Sequence, residues 1–452
     1  GENQLEIAFN SSTKESLKRA ADFTKKFQYD VPIDCPPDYQ HGSCHANFLR
    51  KMQSSYSWDW GPAFPAVGIW KDIYIQTSNN CVVERATAVP LYTASTRTWF
   101  INAELFLFCT SNGNGRAKFS ISELSVTKTI NVHLTRGSVR IQTILRVPEK
   151  RIQLWWPRDY GDQKLYEMIG SFRSNDEEDA VLSKVIFGFR TIQLVQEPIV
   201  VFKNSNVGLS FYFRVNNVPI FLKGTNWIPA DSFQTRITKD KLEFLFRSMY
   251  EVNMNALRVW GGGVYESDEF YRLADEYGLL IWQDMMFAVN LYPADAFFLK
   301  NVEQEIFENV NRLKSHPSVL IWAGNNENEL GITGGWYHGN PAASETKYNE
   351  DYKKLYWETI WRVINTTDFY SRPYVLSSPS NGVKTVENGG ISGFSPNSEL
   401  WGDMHFYNYG SDSWDPETFP ISRCTTEYGY QSMPNFNTIK TALPHPADWQ
   451  YF

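Results

Sequence analysis

A chain of 452 residues exceeds what one hydrophobic core usually serves, so two or three domains are expected. Its 43 lysines and arginines face 50 aspartates and glutamates, a net charge of -7 with no basic run, which argues against nucleic acid as a partner. No stretch approaches the roughly 18 uninterrupted apolar residues of a membrane helix, so no membrane partner is expected, and oligomeric state is not legible.

Residues 1–79 open on LEIAF, which reads as the middle of a domain, and show no leader-like pattern; a signal peptide upstream and lost is expected. A polar helical segment, a Pro/Cys loop and a strand-like run, GIWKDIYIQ, follow. Asn10 begins the first of two N-x-S/T sequons; Asn365 begins the second. Cys35 and Cys44 flank the loop and either close a small disulfide ring in an oxidising compartment or remain free thiols. With Cys81, Cys109 and Cys424 the count is odd and no CxxC pair occurs, which excludes a disulfide-rich scaffold and a zinc site.

Residues 80–187 carry short β-rich runs, TWFINAELFLF, VRIQTILRV and SKVIFGFR, broken by NGNG, TRGS and SNDEED. That pattern predicts an immunoglobulin-like β-sandwich. From 188 to 452 a hairpin-like run, LSFYFRVNNVPIFLKG, leads into strands alternating with helices. The strands read IFLKGTNW, ALRVWGG, LLIWQDM, VLIWAGN, YVLSSPS, DMHFYN and RCTTEYG; among the helices is EDYKKLYWETIWRVIN. Regular β/α alternation predicts a (β/α)8 TIM barrel that stops before its eighth strand. The Gly261 to Gly263 run lacks the spacing of a phosphate loop and reads as a turn.

In such barrels chemistry sits where strands end. The fourth strand ends in AGNNENE, with Asn326, Glu327 and Glu329, and the seventh brings Glu427. Two carboxylates facing each other across a barrel mouth are what glycosidic cleavage requires, one to protonate the leaving oxygen and one to attack the anomeric carbon. A retaining enzyme would hold them about 5 to 5.5 Å apart. Glu329 reads as a supporting acid. His405 and Tyr407 end the sixth strand and Trp260 the second, so all three are candidates to line the mouth, although a satisfied core histidine is an equal reading of His405. Asn326 is placed to hydrogen-bond a sugar 2-hydroxyl. No HExxH or comparable spacing points to a metal, and no cofactor is expected.

NRLKSHPSVLIWAGNNENE resembles the acid/base signature of glycoside hydrolase family 2, and TTEYGYQSMP resembles its nucleophile segment. The resemblance extends through SYSWDWGPAFPAVGIWKDI, LWWPRDYGDQKLYEM, KGTNWIPADSF and RVWGGGVYESDEFY, nearly the whole chain. It implies Glu327 as general acid/base and Glu427 as nucleophile. It also implies that residues 1–79 are the C-terminal part of a galactose-binding-like jelly-roll sandwich. The doubled asparagine before Glu327 is similar to the family's β-mannosidase branch, where the WDWGP loop reaches the pocket; this implies Trp58 and Asp59 beside a terminal mannose, with Trp260 stacking nearby. An oligosaccharide with terminal β-mannose, lysosomal N-glycan breakdown and a Cys35 to Cys44 bridge fit that branch. Another activity of the family, such as an endo-mannosidase or exo-glucosaminidase, and an inactive carbohydrate-binding form are the alternatives.

Overall fold

A computed structural model describes residues 4–33, 35–176, 178–199, 207–337, 345–392 and 394–449. Helix α1 (Ser12–Phe27) starts where Ser11 accepts a hydrogen bond from the Lys14 amide, and it buries Ala20 and Phe23 against Val31, Phe48 and Leu291. The loop beyond it is closed by a Cys35–Cys44 disulfide. The strand-like run GIWKDIYIQ forms no strand: Ile73, Tyr74 and Ile75 are 58, 78 and 85% exposed. Period-2 patterning makes a strand only where a neighbour satisfies the backbone, and no partner strand lies beside this run among the described residues.

The sandwich pairs two sheets. One, in the order β1-β2-β5, joins β1 (Cys81–Thr93), β2 (Thr98–Cys109) and β5 (Gly137–Pro148). The other, in the order β4-β3-β6-β7, joins β3 (Gly113–Ile121), β4 (Val126–Leu134), β6 (Tyr166–Ser174) and β7 (Val181–Phe187). Alternate residues point inward, and Leu105, Phe119, Leu145, Met168 and Phe172 fill the space between the sheets. Cys81 and Cys109 stand directly opposite in the β1/β2 register and are disulfide-bonded, a bridge the sequence reading did not identify.

The hairpin-like run becomes a separate antiparallel sheet of β8 (Ile192–Val195), β9 (Tyr212–Val215) and β10 (Val218–Ile220). Its Phe213 and Val215 pack with the inward-facing Leu280, Ile321 and Ala323. Five parallel strands follow in sequential order: β11 (Gly224–Trp227), β12 (Ala256–Val259), β13 (Leu280–Asp284), β14 (Val319–Ala323) and β15 (Tyr374–Val375). The pair β16 (Met404–Phe406) and β17 (Thr425–Tyr428) completes the seven, joined to the rest through the Asn326↔Ser378 and Ser380↔Asp403 bridges. Between β17 and β11 no ladder forms among the described residues; the Asn226 amide side chain donates to the Thr426 carbonyl at 2.9 Å.

Outward residues Leu257, Val259, Ile281 and Trp322 pack beneath α2 (Lys239–Glu251), α3 (Asp268–Tyr277) and α4 (Ala296–Leu313). Strands buried on both faces read as near-continuous apolar runs, which is why VLIWA and LLIW were legible. The helix expected over EDYKKLYWETIWRVIN runs without a break, but its middle turns are widened. It comprises α6 (Glu345–Lys353), a π-helical stretch over Lys354–Trp361, and α7 (Arg362–Thr367). The Thr359 hydroxyl donates to the Lys354 carbonyl five residues back at 2.8 Å, and a side chain bonding inside the ladder widens the turn.

Sandwich and barrel meet at a buried charge cluster. Glu104 of β2, fully buried, pairs with Lys314 and Arg140 and accepts from the Thr87 hydroxyl at 2.8 Å. Lys314 also donates to the Thr367 carbonyl at 3.0 Å. The backbone around Lys314 is gripped in turn: Arg190 donates to the carbonyls of Pro317 and Val319, and Arg372 to those of Lys314, His316 and Val319. This loop feeds β14, so the sandwich braces the strand that carries Glu327. Glu104→Ala would leave the Lys314 ammonium buried against one carbonyl, at a cost of about 3–5 kcal/mol. Urea unfolding of the variant is expected to show a lower midpoint, and an unchanged midpoint would show that the cluster does not brace the two domains.

Candidate active site

Strand parity decides what faces the barrel interior. In β12, Leu257 and Val259 point out to the helices, so Ala256 and Arg258 point in. The Arg258 guanidinium is buried and spans the barrel: it pairs with Asp284 at 2.7 Å and with Glu427, and it donates to Asn326 at 2.8 Å and Asn226 at 3.0 Å. Asp284 accepts as well from the Gly261 amide at 3.0 Å. Burial works against the charge on Arg258, but Asp284 and Glu427 outweigh it and hold the guanidinium firmly protonated. For Asp284 burial wins, pushing the carboxyl up to about 7 against the pull of Arg258.

Glu327 follows β14, held in the left-handed region at φ 62°, and begins α5 (Asn328–Thr333). Its amide donates to the Ser378 carbonyl at 2.9 Å, which over-determines a conformation costly for a residue with a Cβ. Glu427 lies in β17 opposite His405 of β16. His405 Nδ1 sits 2.7 Å from a Glu327 oxygen and 3.5 Å from a Glu427 oxygen, so one imidazole bridges both carboxylates. Tyr407 donates to Glu427 at 2.9 Å. Burial pushes the Glu427 carboxyl up, but the charges of His405 and Arg258 and the hydrogen bonds of Arg258 and Tyr407 reverse this and hold it below the usual carboxylate range. Conversely, burial lowers His405 while Glu427 and Glu327 raise it above its ordinary value.

One wall of the mouth comes from the first 79 residues. Trp58 and Gly61 exchange backbone hydrogen bonds at 2.9 and 3.1 Å, a tight turn that presents Asp59 and Trp60 at its tip. The Ser54 amide anchors this segment to the Gly262 carbonyl at 3.0 Å, and the Trp58 ring meets Trp260 edge-on with centroids 4.7 Å apart. Gly262 is required here, since a Cβ would collide with the Trp260 ring. Asp59 accepts from the Gln431 amide at 2.6 Å, closing a link from the WDW turn to the segment after β17. Burial raises the Asp59 carboxyl, and the charges of Glu327 and Glu427 act in the same direction.

The structure thus gathers Trp58, Asp59, Trp260, Asn326, Glu327, His405, Tyr407 and Glu427 around one mouth. His405 fits the reading of a buried, partnered histidine, and its partners at Nδ1 are the two carboxylates. Glu329 is fully buried, accepts from the Ser392 amide at 2.7 Å and is pushed up to about 7 by burial. Asn10 is exposed and Asn365 lies half-buried on α7. Glu327, His405 and Glu427 offer ligand atoms within 4.8 Å of one another, but those atoms are engaged in hydrogen bonds and ion pairs that the trio makes internally and with Arg258 and Tyr407. The sequence reading missed Arg258, Asp284, Ser378, Asp403 and Gln431. Arg258 and Asp284 did leave a signal, a charge inside an apolar strand run at inward parity; the others lie in irregular segments and left none.

Residues 1–71 match the glycosyl hydrolase 2 galactose-binding domain-like model, and residues 210–359 match the glycosyl hydrolases family 2 TIM barrel domain. The beta-mannosidase of Mus musculus is 42% identical over 99% of this chain and 50% of its own length, and a probable beta-mannosidase of Caenorhabditis elegans is 39% identical over 100% and 49%. Among solved structures, the beta-D-mannosidase of Dictyoglomus thermophilum superposes with a TM-score of 0.77 at 32% identity, covering 95% of this chain and 49% of that one. The chain therefore spans about half the length of the curated relatives it matches. Domains of one family at both ends of the described architecture, with likeness to its members along the whole sequence, make this chain a member of glycosyl hydrolase family 2.

Proposed function

We propose that this chain carries the catalytic site of a retaining exo-β-mannosidase. The observation that carries the reading is the spacing of the two acids, whose nearer oxygens lie within 4.8 Å of each other with His405 between them. Such proximity suits double displacement, in which the two carboxyl groups stand about 5 to 5.5 Å apart. A Glu427 oxygen attacks the anomeric carbon while the bond to the leaving oxygen breaks and Glu327 gives that oxygen its proton. Glu327 then takes a proton from water, the water oxygen bonds to the anomeric carbon, and Glu427 departs as carboxylate. Glu427, held below the usual range, is ionised and ready to attack.

The WDW turn and its link to Gln431 support exo-action, because they wall one side of the mouth. Trp58, Asp59 and Trp260 take the terminal sugar. Asn326 has its carbonyl oxygen committed to Arg258, so its amide N–H serves the 2-hydroxyl. Mannose as that sugar rests on the curated and structural relatives named beta-mannosidase. Delivery through the secretory route to the lysosome, for breakdown of N-glycans, belongs to the same proposal; two disulfides, Cys35–Cys44 and Cys81–Cys109, support an oxidising compartment on the way.

Chromogenic β-mannoside, β-galactoside and β-glucuronide should be offered to this chain and to one extended to the length of its relatives. Mannoside turnover is expected, abolished by Glu427→Ala and slowed about 10²–10⁴-fold by Glu327→Ala. Turnover of the galactoside instead, or of nothing at either length, would sink the reading. The pH dependence has a defined sign: kcat/KM is expected to fall as pH drops through the lowered Glu427 value, and to fall again as pH rises through the raised His405 value. An optimum well above neutrality would contradict it.

A further inference from the structure

Behind His405 lies a second set of hydrogen bonds that the double-displacement scheme leaves unused. Ser378 Oγ donates to Asp403 Oδ2 at 2.6 Å, and the Thr426 hydroxyl donates to the same oxygen at 2.7 Å. The other Asp403 oxygen accepts from the Ser380 amide at 2.9 Å. His405 Nε2 stands 3.3 Å from Ser378 Oγ. Asp403, Ser378 and His405 are all buried, so no bulk water intervenes to rearrange the protons.

A hydroxyl has one proton to give. Ser378 gives its proton to Asp403, so toward His405 its oxygen can only accept, and Nε2 must carry hydrogen. With Nε2–H committed, Nδ1 faces a Glu327 oxygen at 2.7 Å and, at 3.5 Å, an oxygen of Glu427, which as a carboxylate can only accept, so Nδ1 meets both by donating as well. We propose that Asp403, acting through Ser378, holds His405 as an imidazolium that donates to one oxygen of Glu327, so that the other oxygen is the one that carries the catalytic proton. Asp403 and Ser378 are then positioning residues, and the inference rests on Glu327 as the acid/base.

The groups facing His405 agree in sign. Glu327 comes from the end of β14, Glu427 from β17 and Asp403 from the segment before β16; all three favour a positive ring. Arg258 of β12 opposes them, and Tyr407, beside His405, directs its hydroxyl to Glu427. The net effect of Glu427 and Glu327 over burial and Arg258 is a ring that keeps its proton above the ordinary histidine range. Ser378 also accepts the Glu327 amide on its carbonyl, so one residue sets both the backbone of the acid and the proton of its partner.

The test begins on the protein itself, labelled with 15N-histidine, and needs no substrate. Both His405 nitrogens are expected to carry protons near pH 6. In Ser378→Ala the ring should lose its second proton roughly one pH unit lower, as expected when a hydrogen bond to a charged group is removed, and Ser378→Thr should restore it. The alkaline limb of kcat/KM on a chromogenic β-mannoside should move by the same amount in the same direction, with KM little changed. A bare Nε2 in the unaltered protein overturns the proposal, as does an imidazole titration that Ser378→Ala leaves in place. A shifted imidazole with an unmoved rate profile overturns the link to Glu327. Absence of hydrolysis of any glycoside would sink the mannosidase reading, while the ring signals would still decide the proton arrangement.

Discussion

A single guanidinium organises the interior of this barrel. Arg258 reaches Asn226 of β11, Asp284 of β13, Asn326 after β14 and Glu427 of β17, so four strands other than its own are tied to one buried charge. A buried cation is tolerable only when fully paired and hydrogen-bonded. That requirement constrains each partner in place: shifting β17 or the turn after β14 would strand the arginine, Glu427 or Asn326. Because β17 and β11 share no ladder among the described residues, the polar links through Arg258, Asn226 and Thr426 carry much of what backbone pairing does elsewhere in the sheet.

Around that centre the charges alternate. Asp284 and Glu427 flank Arg258, and His405 stands between Glu427 and Glu327. Two carboxylates this close would each resist ionisation if left alone. The positive groups remove that penalty unequally, since Glu427 borders both Arg258 and His405 while Glu327 borders His405. Glu427 is thereby held as a carboxylate, a state set by its neighbours and not by residue type.

Local structure supports this from outside. Arg190, Arg372 and the Glu104–Lys314 pair clamp the loop before β14, and the Ser378 carbonyl clamps the turn after it. The strand bearing Glu327 is gripped at both ends, which is how a left-handed glutamate persists at the mouth. The WDW turn is fixed by its own hydrogen bonds and by its seat on Gly262, a position where any larger residue would displace the Trp260 ring.

Much of this was written in the chain. Apolar strand runs between amphipathic helices showed the barrel, alternating runs between turn signals showed the sandwich, and strand ends rich in Asn, Glu, His and Tyr showed where chemistry should lie. Local patterns are readable because burial on one or both faces of a strand imposes a period on the sequence. What tertiary structure alone decided are the partnerships across that distance. The GIWKDIYIQ run has the pattern of a strand and none of the pairing; Cys81 finds Cys109 through a register visible only once β1 and β2 lie side by side. Arg258, Ser378 and Asp403 acquire their roles from residues 26 to 169 positions away or in another irregular segment. Sequence periodicity records which face a residue is on, whereas the proton a histidine carries depends on which atoms stand across the barrel from it.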